Sequence, residues 1–456
     1  MPRQIRLNAF DMNCVVHQSP GLWTHPSCRA DQYHTLGYWT DLARTLERGL
    51  FDAIFLADVL GIYDVYRGGP EAALQGAIQV PVNDPMLLVP AMAAVTSQLG
   101  FGITGTLSYE HPYTFARRIS TLDHLTEGRM GWNIVTGYLN SAAKGVGMAR
   151  QVGHDTRYDI ADDYMQVVYK LWEGSWEDGA VLRDRASGRF ADPARIHRIA
   201  HDGPYFRLEA IHLCEPSPQR TPVLFQAGAS TRGRQFAAEH AECVFINGPS
   251  MRVVAPLVAD IRARAAAAGR DPAAITIFTM MTVITDSTPE AAREKFAAYR
   301  AYASEQGGLA LMSGWTGVDF SRLPPDEPIR FSQRDAQTSA LEAFTTADPT
   351  RPWTPREIGA HAAIGGRSPV LVGSPTEIAD ELQAWVAETD VDGFNLAYVI
   401  TPGTFTDVID LVVPELQSRG AYKTAYAPGT FREKLQGPGR ARLPDTHPAA
   451  RFRIRS

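Results

Sequence analysis

Eight short β-rich runs recur along the whole chain, at residues 5–10, 52–57, 101–107, 130–136, 222–227, 243–247, 275–285 and 393–399, and helical periodicity fills the spaces between them. In residues 155–173, for example, Ile160, Ala161, Tyr164, Val167, Val168 and Leu171 fall on one helical face. Ser374, Pro375 and Glu377 supply an N-cap, a first-turn proline and a capping-box glutamate ahead of Ile378, Leu382 and Trp385. A strand followed by a helix returns most readily to a parallel neighbour, so the pattern predicts a parallel sheet. Eight units favour closure into a (β/α)8 TIM barrel over an open doubly wound sheet, because closure leaves no unpaired edge. The 456 residues would ordinarily suggest about three domains, yet one barrel with insertions reaches that size. The expectation is a single domain over 1–456, with insertions over the C-terminal face at about 175–220 and 306–366 and a C-terminal extension at about 421–456.

Charge and composition exclude several functions. The net charge is −6 and no sustained basic run appears, which argues against a nucleic-acid partner. Residues 440–455 do carry arginines, but sparsely and between prolines. The longest apolar stretch, 85–95, falls short of the ~18 residues of a membrane span, and the N-terminus places charges where a signal peptide needs an apolar run. A cytoplasmic protein without a membrane partner is expected. Cys14, Cys28, Cys214 and Cys243 form no C-x-x-C and read as buried, reduced thiols. His197 and His201 stand four apart, a spacing that on a helix would face one ion, but no carboxylate ligand is evident beside them and no metal is expected.

In a β/α barrel the functional groups sit where strands end, at the C-terminal face. Strand one runs into Asp11, Cys14 and His17; strand two into Asp58, then Tyr63 and Tyr66. Strand three carries Thr104 and is followed by Tyr109 and His111; strand four holds Asn133 and Thr136, then Tyr138. After strand five, TPVLFQAGASTRGRQFAAEHA (221–241) reads as a buried strand, a small-residue turn and a helix start. The unpaired N–H groups and positive dipole end of such a helix hold a phosphate, and Ser230 and Thr231 add hydroxyls there. Arg234 and Gln235 stand where a nucleoside-triphosphate loop requires Lys and Ser/Thr, so a triphosphate is not expected. An ordinary serine N-cap would explain the same residues, and both readings stand at this point. Asp155 reads as another N-cap, leaving His154 just outside a helix and Tyr158 in its first turn; both could donate to a phosphate, or serve only capping and packing. Asp58 ends the buried run FDAIFLA, where it could accept an N–H from a heterocycle or cap a turn. No G-x-G-x-x-G follows a strand, so no dinucleotide site of the doubly wound kind is visible.

The segments NAFDMNCVVHQSPGLWTHP, FDAIFLADVLGIYDVYRG, HPYTFARRISTLDHLTEGRMGWNIVTGYLNSA, HDTRYDIADDYMQVVYKLWEGSWED and CEPSPQRTPVLFQAGASTRGRQFAAEHAECVF resemble the bacterial luciferase-like flavin monooxygenases, and more narrowly the nitrilotriacetate and dibenzothiophene-sulfone monooxygenase group. The likeness spans nearly the whole chain and is weakest in the two insertions. Its nearest branch oxidises dimethyl sulfide, with the long-chain alkane branch next. The resemblance implies the same barrel, with Asp58, Thr104, His154, Tyr158 and Ser230 at FMN-binding positions. Ser230, Tyr158 and His154 would hold the phosphate, and Asp58 and Thr104 would face the ring or ribityl chain. It further implies FMNH2 taken from a separate NAD(P)H:FMN reductase, O2 as co-substrate, and a homo-oligomer, either dimer or tetramer. Tyr63, Asn133, Tyr138, His17 and Cys14 are the implied catalytic lining of a dry pocket, with Asn133 and the phenols orienting activated oxygen and His17 as proton donor.

The reaction this branch implies inserts oxygen at a methyl carbon next to sulfur and yields a thiol and an aldehyde. Long-chain alkane or sulfone oxidation, or flavin binding without turnover, are the alternatives. The alkane branch carries histidines at the positions matching Tyr138 and Leu311, and this chain has neither. A polycarboxylate would need several converging arginines, and only Arg67, Arg157 and Arg232 stand near the expected mouth.

Overall fold

The computed structural model describes residues 3–330 and 338–454. All eight expected runs are strands, and they close into one parallel barrel: Arg6–Met12, Ala53–Ala57, Gly100–Thr106, Met130–Val135, Val223–Ala227, Cys243–Ile246, Thr276–Thr285 and Gly393–Ala397. Each strand pairs with the next in sequence, and the ring shuts where Arg6 to Phe10 lie against Gly393 to Ala397. A short strand, Val370–Gly373, extends the outer half of strand seven.

Alternation along the strands divides two cores. Leu7 and Ala9 face the surrounding helices, whereas Phe10 faces the barrel axis. Inside, Phe10, Phe55, Phe225, Phe245 and Phe278 pack with ring centroids 5.0 to 6.4 Å apart. Glycine makes room for them: a Cβ at Gly131 would lie 2.8 Å from the Phe225 ring. The tail closes the N-terminal end, where Phe431, opening the helix Phe431–Gln436, stacks on Phe225 at 6.0 Å. Its neighbour Arg432 is fully buried and pairs with Glu242 at 2.6 Å while donating to the carbonyls of Thr221 and Pro222. A buried pair so fully hydrogen-bonded offsets its own desolvation, and losing either partner would strand a charge. With that end plugged, the open end of the barrel is the C-terminal one.

The two insertions behave differently. Residues 175–220 form two hairpins, Val181–Asp184 with Arg189–Ala191 and Ile199–Asp202 with Arg207–Ala210. They lie along the outside of the helices Pro112–Leu125 and His154–Gly174, held by Ser120 to His212 at 2.9 Å and by the buried Asp163 carboxylate, which accepts from Tyr205 N, Phe206 N and the His201 ring. This segment therefore flanks the barrel and lines no part of its mouth. Residues 306–366, by contrast, reach the mouth through Trp315 and Ser339. Residues 331–337 of that insertion, and 455–456 of the tail, lie outside the described residues.

Candidate functional site

A cavity of about 230 Å³ opens at the C-terminal face, walled by Met12, Ala57, Thr106, Val135, Ala227 and Ile246, each the last residue of its strand. Of the residues expected to bind FMN or to carry the catalysis, the structure brings all but Cys14 to its wall.

One end gathers donors. Ser230 is indeed the N-cap of the helix Thr231–His240, accepting from Gly233 N at 3.1 Å, and its hydroxyl is also hydrogen-bonded to the Tyr158 phenol. A second helix N-terminus, His154–Gly174, arrives beside it. Here the sequence expectation needs correction: the helix starts at His154 with Gly153 as N-cap, and Asp155 accepts from His154 Nδ1 at 2.7 Å rather than capping. Tyr158 lies beneath the turn, with Gln226 Nε2 donating to its hydroxyl at 3.4 Å. Side chains are excluded here, since a Cβ at Gly233 would sit 2.7 Å from the Tyr158 hydroxyl and one at Gly228 2.6 Å from Gln226 Nε2. The bare backbone thus allows close approach of a ligand. Arg157 lines the same end, while Arg232 stacks over Tyr158 and is engaged by Asp159 and Asp162.

Deeper in, the groups on offer are acceptors. Asn133 Nδ2 donates to Thr104 Oγ1 at 2.8 Å, and the buried Asn133 Oδ1 has no hydrogen-bond partner among the described residues. Gln226 Oε1 is in the same position. Burial, reinforced by the charge of Asp84, pushes the Asp58 carboxyl up to about 7.

The far wall is aromatic. Tyr63 and Tyr138 hydroxyls meet at 2.7 Å, Tyr63 donates to Gln79 Oε1 at 2.8 Å, and Trp315 lies under the Arg367 guanidinium at 4.7 Å. His17 packs edge-on against Phe10 at 4.4 Å. Burial pushes its imidazole down to about 3, so at neutral pH it meets the cavity as a neutral ring, and the expected donor role is closed to its charged form.

Several other sequence candidates take structural roles. Cys14 does not reach the cavity: its thiol donates to the Val16 carbonyl at 3.2 Å, and burial drives its pKa well up, away from a thiolate. Asp11 is not on the cavity wall either; it is buried near Tyr38 and Tyr398. His111 caps the helix Pro112–Leu125 by accepting from Tyr113 N. His197 and His201 sit in the flanking insertion rather than on one helix, and they bond to different carboxylates, Glu177 and Asp163, so the four-residue spacing brings them to no common ion.

Sequence reasoning missed Gln79, Gln226, Arg367 and Trp315. Gln226, a lone amide in the apolar run VLFQA, carried a signal. Gln79 and Arg367 carried none, since loops distant in sequence deliver them.

With this geometry established, similarity to known proteins decides the class. The model of the luciferase-like monooxygenases matches residues 10–393. The chain belongs to the luciferase-like monooxygenase family. Like its relatives in that family, it is a flavin-dependent monooxygenase. This monooxygenase is 54% identical to the dimethyl-sulfide monooxygenase of Hyphomicrobium sulfonivorans over 99% of the chain and 94% of that protein. It is 49% identical to the long-chain alkane monooxygenase of Geobacillus thermodenitrificans, over 99% of each. The crystal structure of DmoA from Hyphomicrobium sulfonivorans matches it with a TM-score of 0.92 at 54% identity, covering 99% of this chain and 96% of that one. Riboflavin lyase RcaE, solved with modified FMN and its substrate riboflavin, matches with a TM-score of 0.93 at 37% identity, covering 99% of this chain and all of that one. No described helix of the enzyme is long and apolar enough to cross a membrane.

Proposed function

We propose that this monooxygenase is the oxygenase half of a two-component system, taking FMNH2 from a separate NAD(P)H:FMN reductase in the cytoplasm and using O2 to oxidise a small apolar organosulfur compound such as dimethyl sulfide. The observation that carries the reading is the polarity of the cavity: donors at the mouth, orphaned buried acceptors at depth, and an aromatic wall beyond them. That order matches reduced FMN, which has a phosphate at one end and ring N–H groups at the other. Ser230, Tyr158, His154 and Arg157 would bind the phosphate, and the two helix N-termini would favour its charge. Asn133 Oδ1 and Asp58 would accept from ring N–H groups. When bound, reduced FMN would supply the electrons and the place where O2 is activated. Tyr63, Tyr138 and Trp315 would exclude water from that place and so limit loss of hydrogen peroxide.

In the proposed reaction one oxygen atom enters a methyl C–H bond of the sulfide and the other leaves as water. The resulting hydroxymethyl sulfide then breaks its C–S bond to give a thiol and an aldehyde. The sulfide reading gains from the neutral, buried Leu311 and from Tyr138, where the alkane branch has histidines. A homo-oligomer, dimer or tetramer, of single barrel domains completes the proposal.

The test is a product panel with reduced FMN against dimethyl sulfide, alkanes, sulfones and amino-polycarboxylates, read by mass. Oxygen-dependent formation of methanethiol and formaldehyde from the sulfide is expected. Turnover of another class with no sulfide product would overturn it.

A further inference from the structure

The hydroxyls of the aromatic wall have only one self-consistent arrangement of protons, and it begins at the backbone carbonyl of His17. Gln79 Nε2 lies 2.9 Å from the backbone carbonyl of His17, an atom that can only accept. That contact assigns the amide chemically, so the other end of Gln79 is its carbonyl oxygen. Gln79 Oε1 can only accept in turn, so the Tyr63 hydroxyl, 2.8 Å away, must donate its single proton to it. With that proton committed, the 2.7 Å contact between Tyr63 and Tyr138 requires Tyr138 to be the donor. All three side chains line the cavity; Tyr63 and Gln79 are buried and Tyr138 is partly buried against them, so water is a poor competitor for the bond that commits the Tyr63 proton.

We propose that Gln79 is a positioning residue that fixes the direction of this chain, so that Tyr138 meets a ligand as a hydrogen-bond acceptor rather than a donor. The wall then prefers a ligand bearing an O–H or N–H over an isostere that offers only lone pairs, because the latter places lone pair against lone pair. This determines which compounds the pocket admits near Tyr138. A thioether, with no strong acceptor, enters without conflict; an acceptor-only sulfoxide or sulfone does not. A hydroxymethyl product is welcomed, its hydroxyl donating to the Tyr138 oxygen. Arg367, whose charge bears on both phenols, raises the cost of neither arrangement, since it favours electron density on either oxygen. The inference rests on the organosulfur reading only for its choice of substrate; the hydrogen-bond direction follows from the protein alone.

The experiment uses the full chain labelled at tyrosine Cζ and followed by carbon NMR without flavin, with acetone and 2-propanol as probes of equal heavy-atom number. In the wild type, 2-propanol should bind about fivefold more tightly than acetone and shift the Tyr138 resonance. Gln79→Leu frees the Tyr63 proton, which lets Tyr138 turn its own hydroxyl inward; the preference should fall to about parity and the Tyr138 phenol should titrate at lower pH, its phenolate now accepting from Tyr63. Gln79→Glu supplies a rescue: the neutral acid can donate to the His17 carbonyl and accept from Tyr63, and the carboxylate still accepts from Tyr63, so the wild-type preference should be kept on both sides of its titration. Tyr63→Phe provides a second route to the same reversal should the leucine variant fold poorly. An unchanged preference and unchanged phenol titration in both Gln79→Leu and Tyr63→Phe would overturn the assignment. Absence of sulfide turnover in the wild type, with the reversal still seen, would instead overturn the substrate and leave the hydrogen-bond direction standing.

Discussion

The Thr104 hydroxyl accepts from the Asn133 side-chain amide at 2.8 Å, and in doing so turns Asn133 Oδ1, not its NH2 group, toward the cavity. A neighbouring strand thereby sets the polarity of a group proposed to meet the flavin ring. Thr104→Val should release that amide to rotate and weaken FMN binding about fivefold, the worth of one buried hydrogen bond of ~1 kcal/mol. Thr104→Ser should retain affinity. Fluorescence titration of both variants measures this, and equal affinity for wild type and valine variant would show that the contact does not orient Asn133 for the cofactor.

Ser230 does two things at one position, and they separate in one experiment. As N-cap it satisfies Gly233 N, so Ser230→Ala should cost ~1 kcal/mol of stability and lower the melting temperature by about one degree. As a phosphate donor its loss should weaken FMN about tenfold while leaving riboflavin, which lacks the phosphate, unaffected. A parallel loss for both ligands would move the phosphate elsewhere.

The Asp58 carboxyl, pushed up to about 7 by burial and by Asp84, is largely neutral below that pH and charged above it. A charged carboxylate accepts a ring N–H more strongly, so FMN affinity should rise several-fold between pH 6 and 8. Asp58→Asn should bind with a flat profile over that range. Titrations at matched ionic strength decide the point; a flat wild-type profile would remove Asp58 from the ring contact.

Stability has its own titrating group in Asp11, a fully buried carboxyl also pushed up to about 7 by burial. The folded protein holds this proton up to about pH 7, whereas the unfolded chain releases it near pH 4. Between those limits the folded state binds the extra proton, so each pH unit of increase removes about 1.4 kcal/mol until the folded group also ionises. Buried neutral histidines such as His17 act in the opposite sense below pH 6.5, which makes the comparison between variants the clean measurement. Relative to wild type, Asp11→Asn should gain stability as pH rises from 5 to 7. Parallel denaturation midpoints across that range would show that Asp11 is ionised in the folded protein.

The local pattern of the chain was enough to determine eight strands, their order and the closed barrel, because strand and helix periods are written in consecutive residues and right-handed β/α units leave little choice of topology. It also located Asp58, Thr104, Asn133 and Ser230, since each stands within or just beyond a strand and barrel geometry carries such positions to one face. Beyond the strand ends that logic lapses: Cys14 and His17 both follow strand one with only Val15 and Val16 between them, yet only His17 reaches the cavity, because the chain turns once alternation stops. Tertiary packing alone brought Gln79 beneath Tyr63, set Arg367 over Trp315, laid residues 175–220 along the barrel flank and seated Phe431 in its floor. Those contacts join segments tens to hundreds of residues apart, and nothing in a local window distinguishes the loop that packs inward from the one that stays at the surface.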